Sequence, residues 1–91
     1  MSRIIVAGEQ ETIPNQVGSA SSLERATVVR LVNKGNTNRV VTIVEGDTSN
    51  DVVGSFTILG NSSEMLEKQP WQRIYVPAGT DVVGAKVGFS N

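Results

Sequence analysis

From residue 26 onward, the chain consists of short runs of alternating apolar and polar residues, separated by stretches rich in Gly, Asn, Asp and Pro. Such runs are typical of half-buried β-strands, and the stretches between them are typical of tight turns. The predicted strands are residues 3–7, 26–33, 39–45, 52–59, 63–69, 71–76 and 81–90. Because the turns are short and no clear helical pattern intervenes, the sequence predicts an all-β fold, a small antiparallel β-sandwich of about seven strands.

Residues 63–69 allow two interpretations. Asn61 followed by Glu64 resembles a helix capping box, and the residues after it favour helix. The run is short, however, and Pro70 ends it, so with strands on both sides we predict a strand here. Within the preceding strand, Gly54 indicates a β-bulge.

The two-residue period assigns the side chains of each strand to two faces. In the strand at 26–33, Val29 and Leu31 share a face. In the last strand, Ala85, Val87 and Phe89 alternate with Lys, Gly and Ser, and we expect this apolar set to face the core.

The segment before the strands is different in character. Residues 8–25 are mostly polar, with only three large apolar side chains, and a stretch of this length without a clear element is usually functional or disordered. We therefore predict an extended N-terminal arm at residues 1–25 and a β-sandwich domain at residues 26–91.

The arm has too few apolar residues to fold alone. The apolar side chains that it does have would be exposed to solvent unless they are buried against another surface. We expect them to bind a neighbouring molecule, so that deleting residues 1–20 would leave a folded domain that no longer assembles. The predicted contact residues are Ile4, Ile5, Val6, Ile13 and Val17. Ser21 and Ser22 precede Leu23 and predict a single capped helical turn.

Composition narrows the class of protein. A chain of 91 residues has room for one domain and is only marginally stable alone. Contacts with a neighbouring subunit would add stability, so we expect a homo-oligomer, with a trimer as one option. The net charge of −1 argues against a nucleic-acid binder, which usually carries a basic surplus on one face. No membrane span or signal peptide is recognised.

The sequence gives little support for a catalytic site or a metal-binding site. The sequence has no His and no Cys, and its closest approach to paired carboxylates, Glu64 and Glu67, would lie on opposite faces of a strand. Glu45, Asp47 and Asp51 surround one turn, but their spacing does not fit a Ca²⁺ loop, and a polar hairpin turn is the simpler interpretation. We predict no enzymatic activity, no catalytic residue, no metal and no cofactor.

Three residues near the sixth predicted strand are candidates for a binding surface: Trp71, Arg73 and Tyr75. Trp, Tyr and Arg are the residue types that dominate interface energies. A small aromatic platform for carbohydrate, formed by Trp71 and Tyr75 on one strand face, is the alternative. Residues 68–71 break the strand pattern, and we interpret them as protection of a sheet edge rather than as a contact loop.

Four segments, residues 26–33, 40–45, 53–70 and 82–91, resemble small virion proteins of tailed bacteriophages, in particular those of cyanophages. The sharpest elements are E-K-Q-P, at residues 67–70, and the strand A-K-V-G-F, at 85–89.

The resemblance implies a β-sandwich that decorates or cements the exterior of the capsid and bridges neighbouring major capsid proteins. A tail, neck or fibre-adaptor component of the virion is the alternative, and a carbohydrate-binding module is a third hypothesis.

Overall fold

The computed structural model describes residues 3–46 and 51–90. Within them, the chain forms eight strands and one 3₁₀ turn, and no α-helix. The strands are β1 (Arg3–Val6), β2 (Glu11–Thr12), β3 (Val28–Asn33), β4 (Arg39–Val44), β5 (Val52–Ile58), β6 (Ser63–Glu67), β7 (Arg73–Tyr75) and β8 (Val82–Ser90), and the 3₁₀ turn is Val17–Ser19. The predicted all-β fold is confirmed.

The strands form two antiparallel sheets. The large sheet has the order β1–β8–β3–β6, and β2 also pairs with β8, beside the part that β1 leaves unpaired. The small sheet has the order β5–β4–β7. The apolar cluster between them draws residues from both sheets, as a β-sandwich requires.

The shared face predicted for Val29 and Leu31 of β3 is the one that fills this core, together with apolar residues of β4. Val29 and Leu31 of β3 are fully buried, as is Val41 of β4. Burying a side chain of this kind contributes about 1.5–3 kcal/mol. Asn33 continues the buried face of β3, and its Nδ2 donates to Thr37 O at 2.8 Å and to Ile58 O at 3.3 Å. The first bond holds the connection between β3 and β4, and the second connects the end of β3 to the end of β5 in the other sheet.

Two local predictions about strands are confirmed. Residues 63–67 form a strand, β6, which pairs with β3. The register of β4 against β5 passes from Ile43↔Gly54 to Val44↔Val52, so the bulge lies at the predicted glycine.

The core-facing side of β8 differs from the prediction. Leu31 pairs with Gly84, which assigns Val82 and Gly84 to the core face and Ala85 and Val87 to the opposite face, where Val87 is nevertheless buried. A Cβ at Gly84 would lie 2.8 Å from Leu31 Cδ2, so a larger residue has little room there. The alternation of residues predicted that the more apolar side of β8 faces the core. The core-facing side instead carries Gly84, because the Leu31 side chain leaves little room at this position. The Phe89 side chain lies outside the described residues.

The predicted boundary at residue 25 is also corrected, because the N-terminal segment belongs to the sandwich. Its first strand runs along β8, from Arg3↔Ser90 to Val6↔Val87. Farther along the segment, Ile13 and Leu23 are 0% and 1% exposed and belong to the core. Single buried residues ten positions apart create no strand or helix period, which is why the pattern suggested an arm.

A turn of left-handed backbone follows this segment. Leu23, Glu24 and Arg25 have φ values of 51°, 59° and 57°. The predicted serine caps are present: Ser21 Oγ accepts from Leu23 N at 3.0 Å, and Ser22 Oγ accepts from Arg25 N at 3.2 Å. The hand is nevertheless opposite to that of the predicted helical turn. Left-handed backbone costs about 1–2 kcal/mol per residue, so the three residues together cost about 3–6 kcal/mol, and burial of Leu23 offsets about 1.5–3 kcal/mol of this.

Candidate interaction surface

Among the side chains that the structure describes, most of the exposed large apolar ones lie in or near the small sheet. The large apolar residues that are most exposed are Val40 (44%), Val52 (60%), Val53 (53%), Leu59 (57%), Met65 (42%) and Trp71 (41%). All of these except Met65 lie in the small sheet or in the residues directly beside its strands. Apolar exposure that is clustered in this way is typical of an interaction site.

The small sheet has an outer face, turned away from the core, that carries no charged side chain at its centre. Val41 and Ile43 of β4 face the core, so Val40 and Thr42 lie on the other side. The register adds their cross-strand neighbours. We define the outer face as Val40, Thr42, Ser55, Thr57 and Tyr75. Its side chains are short except for the tyrosine, and Thr42 at its centre is itself buried, so the face is flat. Arg73, which pairs with Val44, is the charged residue at its margin.

Two of the predicted anchors are tied to the start of the β4–β5 connection. Trp71 Nε1 donates to Glu45 Oε1, and Arg73 Nε donates to Gly46 O at 2.7 Å. Trp71 lies in the turn before β7 and not in the strand, so the predicted aromatic platform on one strand is wrong. Tyr75, the third predicted anchor, lies on the outer face and is half-buried.

The predicted arm contacts have mixed outcomes. Ile13 is fully buried in the core of its own chain and has no surface to offer a partner, so this prediction is wrong. Val17 lies in the 3₁₀ turn, is half-buried, and belongs to an element that packs against β7. The side chains of Ile4, Ile5 and Val6 lie outside the described residues, so their contacts stay predictions.

Lys68 is a buried charged residue that the sequence pattern did not single out. Its side chain is 6% exposed, and Nζ donates to three backbone carbonyl oxygens: Ala26 O at 2.9 Å, Gln69 O at 3.2 Å and Gln72 O at 2.8 Å. Burial, and then the nearby charge of Arg25, lower the pKa of Lys68 to about 8. A lysine in a polar connection is usually solvated, so nothing in the sequence indicated this burial.

The Lys68 ammonium stabilises the connection between β6 and β7. A cavity of about 360 Å³ opens beside it, lined by Thr27, Glu67, Lys68, Gln69 and Gln72. An ammonium has three N–H donors, and the three carbonyls occupy all of them. Lys68 is therefore a structural cross-link between this connection and the segment before β3. The interpretation of residues 68–71 as protection of a sheet edge stays a prediction.

The acidic candidates do not assemble into a site in the part of the chain that the structure describes. Glu64 and Glu67 on β6 pair with Leu31 and Val28 and so lie on opposite faces, as expected. Asp47 lies outside the described residues. Among residues 3–46 and 51–90, no group of three potential metal-ligating side chains occurs.

No helix in the described ranges has the length and apolar character needed to span a membrane. The sequence matches no protein-family model, and no curated protein or solved structure matches it.

Proposed function

We propose that this protein is a non-catalytic structural component of a bacteriophage virion that binds the capsid exterior and bridges neighbouring major capsid subunits. The observation that carries the proposal is the concentration of exposed apolar side chains on the small sheet and its edge. A flat surface of this kind, with a single arginine at its margin, suits another folded protein, because it offers contact area without a concave pocket or a strong electrostatic field. The virion as its location comes from the resemblance of residues 26–91 to small phage virion proteins.

A capsid-binding protein of this size needs only modest contacts. Each copy that touches several shell subunits gains avidity, since every further contact is effectively intramolecular. In this arrangement the outer face contacts the shell, and Trp71 adds a large, half-exposed apolar side chain at its margin. The N-terminal segment takes no part as a free arm, because its apolar residues Ile13 and Leu23 stabilise the domain itself.

The first experiment measures location and copy number in purified particles. Cryo-electron microscopy and quantitative gel analysis should find the protein on the capsid surface, in hundreds of copies. A dozen or fewer copies at the neck or tail would contradict capsid decoration and support the neck-or-tail alternative. Particles without the protein should form normally but release DNA at a lower temperature than wild type.

A pair of matched variants tests the surface. Val40, on the outer face, and Met65, on the large sheet, are almost equally exposed, at 44% and 42%. Val40→Lys should abolish rebinding of purified protein to particles that lack it, whereas Met65→Lys should bind as wild type. Rebinding that is lost with Met65→Lys and kept with Val40→Lys would refute the assignment of the small sheet as the contact surface.

A further inference from the structure

The sheet edges of this domain are protected unequally. Exposed edges present unpaired backbone groups, and proteins usually protect them with charge, proline, short length or interruption. The edge at β6 carries Glu64 and Glu67, and the edge at β7 has three residues between Pro70 and Pro77. The edge formed by β1 and β2 is interrupted at residues 7–10.

The edge at β5 carries no charge and no proline and is not short, and its one interruption is the bulge beside Gly54, near the start of the strand. It spans seven residues, Val52–Ile58, and pairs only with β4 within the described part of the chain. No proline and no charged residue occurs between Asp51 and Glu64. At about 3.3 Å per residue the strand is roughly 23 Å long. In an antiparallel pair, alternate residues direct their N–H and C=O groups away from the partner, so residues 54–58, beyond the bulge, offer a regular row of outward-facing donors and acceptors.

We propose that β5 pairs antiparallel with β5 of a second copy of this chain, which joins the two small sheets into one continuous six-stranded sheet. An antiparallel strand pair has two-fold symmetry, so identical edges satisfy each other's hydrogen bonds. The second copy would bury apolar side chains that are exposed in the single chain, namely those of Val52 and Val53 in β5 and of Leu59 directly after it.

Charge favours β5 over β6 as the self-pairing strand. Two copies of β5 bring no like charges together, because the strand is neutral throughout. Two copies of β6 would bring Glu64 and Glu67 of each chain into one short ladder, where like charges destabilise pairing. A second copy is therefore the occupant that this edge fits.

The pairing does not depend on the proposed function. A single strand ladder with a few flanking side chains makes a small interface, for which we expect a dissociation constant on the order of micromolar. The test uses isolated protein, so a failure of dimerisation and a failure of capsid binding are distinguished directly.

The experiment combines sedimentation and hydrogen exchange on the full chain. Wild-type protein should pass from monomer to dimer between roughly 1 μM and 1 mM. Over the same range, backbone amides of β5 should gain protection, whereas those of β6 should not. A protein that stays monomeric throughout, or a dimer whose β5 amides gain no protection, would overturn the proposal.

Charge variants test the same edge in a second way. Ser55 and Thr57 are exposed, so the variants S55K/T57K and S55E/T57E should fold, which circular dichroism checks. Each alone should dimerise at least about tenfold more weakly than wild type, because like charges meet across the new pair. An equimolar mixture of the two should recover dimerisation as a heterodimer, and S63K/M65K on β6 should behave as wild type. Undiminished dimerisation of both charge variants, or an equal loss in the β6 control, would refute pairing through β5.

Discussion

Replacement of Lys68 by methionine should change how the stability of the domain depends on pH. The folded chain loses the Lys68 proton near pH 8, whereas the unfolded chain keeps it up to the ordinary pKa of 10.5. Between these values the unfolded state binds more protons, so the free energy of unfolding rises with pH. At about 1.4 kcal/mol per pH unit, the full difference amounts to roughly 3 kcal/mol, and it is complete only above the unfolded pKa.

The assay is urea unfolding between about pH 7 and pH 10.5, followed by the fluorescence of Trp71, the only tryptophan. Near pH 7, Lys68→Met should be less stable than wild type, by about 2–4 kcal/mol, because three carbonyl groups lose their donor. Wild type should then gain stability with pH relative to Lys68→Met. Lys34→Met, at an exposed lysine, should retain the wild-type pH dependence. Parallel curves for wild type and Lys68→Met would refute the assigned pKa.

The remaining predictions concern the N-terminal segment, the left-handed turn and the buried asparagine. Ile13→Ala should lower the free energy of unfolding by about 2–5 kcal/mol in a denaturant titration. Deletion of residues 1–20 should unfold the domain, and a truncated chain that melts as wild type would show instead that the N-terminal segment is a separate arm. Glu24→Gly should raise the melting temperature, by the equivalent of about 0.5–1 kcal/mol, because glycine adopts positive φ without strain. The control Glu9→Gly, at a position where φ is not positive, should not raise the melting temperature, and equal effects of the two variants would exclude strain relief. Asn33→Leu should cost about 2–4 kcal/mol in thermal or urea unfolding, since two carbonyl oxygens lose their donor, and a neutral result would mean that water replaces the amide.

The alternation of residues predicted the strands well because each one buries a single face against a common core. β3 is an example, because Val29 and Leu31, which were predicted to share a face, are both fully buried. Even the ambiguous run at 63–67 is a strand, since tertiary pairing with β3 outweighs its local helix preference.

The features that the sequence did not predict depend on contacts between distant residues. The core face of β8 is set by Leu31 and by the N-terminal segment, which leave room for only a glycine at position 84. The burial of Lys68 depends on carbonyl groups from two separate segments, and carbonyl groups carry no sequence signal. In the candidate surface, the residue types Trp71 and Tyr75 were recognised, but the exposure of Val40 on a β-branched strand gave no separate signal.

The position of β8 has a consequence for how the domain folds. This strand lies between β1 and β3 in the large sheet, although it is the last of the described strands to be synthesised. Its pairing joins Arg3 to Ser90 and Leu31 to Gly84, residues that are far apart in sequence. The large sheet therefore lacks its central strand until residues 82–90 have been synthesised, and its formation has to bring together distant parts of the chain. We expect folding in milliseconds to seconds once residues 82–90 are available, with β3 and β6 able to pair before β8 joins them.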